Sequence, residues 1–257
     1  MTYTWVLTRA LLAALIVGML AGGYLLTVVE PVIDRAIALE EEMSAAASAE
    51  PAEDGHHEEP LYTRDEQKGG GALALVLFTL VVGLTVATLF AWRRHVLPGS
   101  SDFARAVWLG LVGFAAFALL PAIKYPANPP AVGDPDTVGE RTLQYVSIIA
   151  ISLVLIVGLS RLSRVLRSRL DDVARIVVVA VAAVVLFGLV VAVMPDSPDQ
   201  IDPAVPAALV WDFRLRSVGG LALVWVGFGL LFGLLLSRQT ADAAAPADAA
   251  APAGAGA

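Results

Sequence analysis

Six apolar stretches dominate this chain, and each is close to the length needed to cross a bilayer. They run from Ala10 to Val29, Ala72 to Ala91, Ala106 to Ile123, Leu143 to Leu159, Ile176 to Met194, and Val218 to Leu236. A hydrocarbon core of about 30 Å at about 1.5 Å per helical residue calls for roughly 20 residues, so these segments predict transmembrane helices. Inside lipid every backbone N–H and C=O must be satisfied within the segment, which selects helices. The expected fold is therefore an all-α integral membrane protein, a bundle of six transmembrane helices. The fourth stretch is the shortest and carries Gln144, Tyr145, Ser147 and Ser152, so its ends are the least sharply marked.

A residue content that is 58% hydrophobic, with mean hydropathy of +0.75, agrees with a membrane chain and not with one soluble domain. There is no cysteine, which excludes disulfides, thiolate metal ligands and thiol catalysis. The first apolar run follows Arg9 and precedes an Ala-Ser-Ala sequence at 47–49, yet it is too long, and that sequence too distant, for a signal peptide. It is expected to be an uncleaved span. Alternating the loops from a cytoplasmic N-terminus gives 10 Lys and Arg against 5 Asp and Glu inside, and 7 against 19 outside. The Lys and Arg excess inside predicts both termini in the cytoplasm and an acidic outer face.

The outer side holds three polar segments. The first, Glu30 to Gly70, reads as a long hydrophilic loop whose opening part, PVIDRAIALEEEM, continues the first span as an amphipathic helix from Pro31. Its remainder is expected to be disordered, with a hinge at Gly69–Gly71. The second, Pro121 to Val146, contains five prolines; these fix φ, remove donors and predict a stiff non-helical cap that turns at Gly133 and Gly139. The third carries Asp196, Asp199, Asp202 and Asp212 and enters the last span through Trp211. On the inner side, Arg161, Arg164, Arg167 and Arg169 form an intracellular anchor. Residues 1–239 are expected to make one transmembrane domain, and 240–257 a mobile Ala/Pro-rich tail.

Candidate metal ligands are His56, His57, Glu58 and Glu59 in the first outer loop, where imidazole and carboxylate suit a first-row dication. Neighbouring side chains diverge on regular backbone, so this group predicts weak capture and not a closed site. Outer-vestibule candidates are Lys124, Tyr125, Asn128, Glu140, Arg141, Trp211, Asp212 and Arg214. Arg214 or Arg216 is expected to pair with Asp134, Asp136 or Glu140 and so lock two outer loops together. No span has a charge near its centre; the polar groups at depth are Thr79, Thr85, Thr88, Ser147, Ser152, the Met19 thioether and backbone carbonyls. Gly18/Gly22 and Gly229/Gly233 offer close-packing faces. No nucleophile motif, phosphate loop or His-Glu-x-x-His pattern is present, which argues against an enzyme.

The segments KYPANPPAVGDPDTVGERTLQY (Lys124 to Tyr145), WDFRLRSVGGLALVW (Trp211 to Trp225) and YTRDEQKGG (Tyr62 to Gly70) closely resemble the CbtA family, predicted cobalt transporter subunits of bacterial membranes. The resemblance covers roughly residues 1 to 236. It implies Co²⁺ as the transported ion, uptake for cobalamin synthesis, and a small single-span CbtB-like partner with a histidine-rich end. The family is usually described with about five spans, against six counted here. The competing expectation is a non-transporting membrane scaffold or assembly subunit.

Overall fold

The computed structural model describes residues 1–47, 62–130, 132–133, 135–199 and 201–242. Among these it is all helical, with six helices long and apolar enough to cross a membrane. Span one joins α1 (Tyr3–Tyr24) to α2 (Glu30–Ala47) through a π turn at Leu25–Val29. Span two is α3 (Arg64–Arg93), and span three joins α4 (Asp102–Phe114) to α5 (Leu120–Lys124) through a second π turn at Ala115–Leu119. Spans four and five are α6 (Val138–Leu166) and α7 (Asp172–Val193). Span six joins α8 (Ala207–Ala222) to α9 (Phe228–Asp242) through a third π turn at Leu223–Gly227.

The helices run further than the apolar stretches, for local reasons. Thr63 and Glu66 form a reciprocal capping box that starts α3 in the polar segment, with Asp65 also favouring that N-terminus. Gly69–Gly71 therefore lies inside an unbroken helix and is not a hinge. The first hydrophilic loop loses 30–47 and 64–70 to helix. Pro31 falls one residue into α2, just past the π turn, so the amphipathic continuation occurs as expected. In the cap, Gly133 has φ of +133° and makes a turn that favours glycine, whereas Gly139 lies in the first turn of α6. Pro135 opens a 3₁₀ turn, Pro135–Thr137, leading into α6; a first helical position needs no N–H, so proline is tolerated there. At the other end of the chain α9 reaches Asp242, three residues into the expected tail.

The core is built by α1, α3, α4 and the last span, and small residues set its spacing. A methyl group at Gly18 would stand 2.9 Å from Val76 Cα, and one at Gly229 would stand 3.0 Å from Gly110 Cα. The small-residue faces of spans one and six thus pack within this chain, where close backbone approach strengthens dispersion contacts that lipid cannot drive. Phe90, Phe228 and Phe232 fill the interior. Helix α7 buries no residue and packs mainly on α6, while α6 reaches the rest of the bundle mainly through α5 and the Ala115–Leu119 turn.

Gly113 offers the sharpest test of this packing, because an added Cβ would fall 2.0 Å from the Trp225 ring. Gly113→Ala is expected to destabilise the detergent-solubilised protein by about 1–3 kcal/mol. Gly158→Ala, with nothing within 4 Å of the new methyl, is expected to change stability by less than about 1 kcal/mol and in the stabilising direction. Equal melting temperatures for the two variants would refute the packing.

Candidate functional site

Helix alternation brings the cap, the 194–206 segment, α2 and the start of α3 to one end of the bundle. Proline chemistry shapes this end. Pro121 has no N–H to give the Phe117 carbonyl four residues earlier, and the π turn lies at that point. The Tyr145 hydroxyl donates to that carbonyl at 3.1 Å, replacing the missing donor and fastening α6 to span three. A similar clasp joins spans one and six: the Arg216 guanidinium donates to the Val28 carbonyl at 2.7 Å in the first π turn, and Tyr24 OH donates to the Arg216 carbonyl.

Ionic contacts then tie the cap to the 194–206 segment. Lys124 Nζ lies 2.8 Å from Asp196, Tyr125 OH donates to the Pro195 carbonyl, and Arg141 pairs with Asp199 at 3.0 Å. The Asp199 side chain is only 3% exposed and also accepts from Thr137. Lys124 donates a hydrogen bond to Asp196 and holds its carboxyl below the usual carboxylate range, so the carboxylate is ionised at neutral pH and protonates only on acidification. Partial burial pushes the Tyr125 phenol up, keeping it a neutral donor. Val132 completes the closure by packing near Val205 and Val210.

These contacts border an open cavity of about 510 Å³. Tyr125, Asn128 and Arg141 line it, together with Gln144, Tyr145 and Asp199. Lys124, Glu140, Trp211, Asp212 and Arg214 surround the same end without lining the cavity. Arg214 holds Asn128 Oδ1 at 2.8 Å, Glu140 accepts from Gln144, and Trp211 is exposed. Asp212 bridges Arg35 at 2.9 Å and Arg216 at 3.4 Å. The loop-locking pairs expected between Arg214 or Arg216 and nearby acids are replaced by these, because Asn128 and the Val28 carbonyl offer closer acceptors; Asp134 lies outside the described residues.

Gln144 is the residue that sequence reasoning undervalued. Its Nε2 donates to Glu140 Oε1 at 3.0 Å and to the Asp196 carbonyl at 3.3 Å, which fixes the amide. Its Oε1 is buried and has no hydrogen-bond partner among the described residues. Two helical turns on, Ser152 Oγ is also buried and unpartnered, and with Ile148 the two residues form the buried stripe of α6. The spacing of 144, 148 and 152 was the available signal. Of the other polar groups expected at depth, Thr79, Thr85 and Thr88 donate to carbonyls one turn back, Met19 is exposed on the bundle surface, and Ser147 is half-buried.

A second network also lay hidden in the sequence. Arg64 pairs with Glu30 and Asp34, and Lys68 with Asp34, so the start of α3 is pinned to α2. Among the described residues no group of three His, Asp or Glu side chains stands close enough to hold a metal. His56, His57, Glu58 and Glu59 lie outside the described residues.

Residues 4–237 match the model of a family described as probable cobalt transporter subunit (CbtA). No curated protein and no solved structure matches the chain.

Removing Arg141 would strand the buried Asp199 carboxylate. Arg141→Gln is expected to destabilise the protein by about 3 kcal/mol, with much of the loss recovered in the Arg141→Gln, Asp199→Asn double variant. Strictly additive losses in thermal unfolding of the two single variants and the double would show that the pair is not coupled.

Proposed function

Because the chain belongs to the CbtA family of probable cobalt transporter subunits, we propose that it carries Co²⁺ inward across the bacterial cytoplasmic membrane, supplying cobalamin synthesis. The capped end faces outward in this reading. Acidic residues gathered there concentrate the dication, and the cavity under the cap receives it. This orientation is supported by the arginines at the opposite end of the bundle, where the 94–101 and 167–171 turns lie, since short Lys- and Arg-rich loops stay in the cytoplasm.

The observation that carries the proposal is the buried, unpartnered Gln144 Oε1 at the cavity. A dication shedding water needs oxygen or nitrogen donors held in place, and an amide oxygen fixed through its own nitrogen is such a donor. Ser152 Oγ, further along the same stripe, is the next oxygen inward. One amide and one hydroxyl make a thin ligand set, so the remaining donors come from a second subunit. A small single-span CbtB-like protein with a histidine-rich end would supply imidazole, and the His56, His57, Glu58 and Glu59 group would act as a weak outer collector. Membership of a family of transporter subunits also speaks against enzymatic activity in this chain.

Cobalt accumulation in cells that express the partner, with and without this gene, tests the reading. The gene is expected to raise uptake; Gln144→Leu to lower it about tenfold, the cost of one lost contact to a charged ion; and Gln144→Glu to retain it. His56→Ala with His57→Ala is expected to lower uptake only at limiting metal. Unchanged accumulation on deleting the gene would favour a scaffold or assembly subunit instead.

A further inference from the structure

The end of the bundle opposite the cap carries a second and larger cavity, of about 930 Å³, between α4 and the α6–α7 hairpin. It exists because α6 joins the bundle mainly near the cap, through α5 and the adjoining π turn, leaving the arginine ends of α4 and α6 apart. Arg105, Arg164, Arg167 and Arg175 line it, and among the described residues no acidic side chain does. Its deeper wall is apolar, formed by Val112, Ile156 and Val179.

The charges at this rim are poorly neutralised. Arg105 and Arg175 each hold one aspartate, Asp102 at 2.8 Å and Asp172 at 2.9 Å, and both aspartates lie outside the lining. Arg105 Nε is buried without a hydrogen-bond partner, and the side chains of Arg164 and Arg167 make no ion pair or side-chain hydrogen bond among the described residues. Guanidinium groups lining one cavity repel one another, an anion among them relieves that repulsion, and their planar forks match phosphate oxygens. A free phosphate would fill only the rim. The volume, and an apolar wall at the level where span ends meet headgroups, require a ligand with one anionic and one hydrocarbon part.

We propose that this cleft binds an anionic phospholipid, its phosphate held by Arg105, Arg164 and Arg167 and an acyl chain lying against Val112, Ile156 and Val179. The bound lipid fills the gap between the hairpin and the core and neutralises the arginines. The site is independent of metal transport and of which way the chain is oriented.

The test uses the full chain purified in a neutral detergent, with phosphatidylglycerol, phosphatidylcholine or inorganic phosphate added, read by native mass spectrometry and thermal unfolding. Phosphatidylglycerol is expected to stay bound and raise the melting temperature, with phosphatidylcholine and phosphate doing neither. Arg164→Gln with Arg167→Gln should weaken phosphatidylglycerol binding at least about tenfold. Arg161→Gln with Arg169→Gln removes the same charge from positions outside the cavity lining and should leave binding intact. Should the first double variant fail to fold, Ser160→Phe, which fills the cleft without changing charge, should show the same loss. Equal weakening in both double variants would reduce the effect to diffuse surface attraction and overturn the proposal. So would stabilisation by phosphate equal to that by the lipid.

Discussion

A backbone carbonyl freed inside hydrocarbon must find another donor, and the cap end of this protein is organised by that requirement. Pro121 deprives the Phe117 carbonyl of its helical partner, and the Tyr145 hydroxyl supplies the substitute from α6. The contact fixes where the fourth span meets the third. It also places the preceding residue, Gln144, at the cavity under the cap. The π turn in span one works in the same way, with the Arg216 guanidinium brought to the Val28 carbonyl across from span six. Local irregularity in two spans is therefore a means by which polar groups from different helices are gathered at one end.

The remainder of the bundle divides into a tight and a loose part. Spans one, two, three and six approach closely over glycine and alanine, with phenylalanines filling the centre. Spans four and five form a hairpin held mainly by its cap end, with α7 burying nothing within the chain. A subunit that works in a complex needs a surface that its own core leaves uncovered, and the hairpin offers one, since α7 buries no residue. The two cavities follow from the same division, one bordered by the ion-paired cap, the other lined by arginines and apolar side chains where the hairpin departs from the core.

How much of this was legible in the sequence depended on how local the cause was. Six spans could be read because hydrocarbon thickness imposes a length that few other constraints mimic. The amphipathic continuation after Pro31 was legible for a similar reason, namely periodicity over a dozen residues. Pairings were not. Arg214 finds Asn128 and not an acid, and Arg141 finds Asp199 across 58 positions of sequence, because tertiary distance decides partners and composition does not. The hinge expected at Gly69–Gly71 failed because the Thr63–Glu66 capping box upstream, together with packing of Gly71 against Leu25, outweighs the low helix propensity of three glycines. In the sequence Gln144 reads only as a polar residue near the start of the fourth span. Its importance lay in an unsatisfied oxygen, which only the structure reveals.

The central claim is that the proline cap encloses the outward entrance for the cation, and its sidedness can be read directly. In a chain without native cysteine, Asn128→Cys lines the cavity, and Ser168→Cys lies in the arginine turn at the far end. The account predicts that an impermeant maleimide modifies Asn128→Cys in intact cells and blocks cobalt uptake, while Ser168→Cys reacts only after the membrane is opened. Modification of Ser168→Cys in intact cells, with Asn128→Cys protected until permeabilisation, would contradict it.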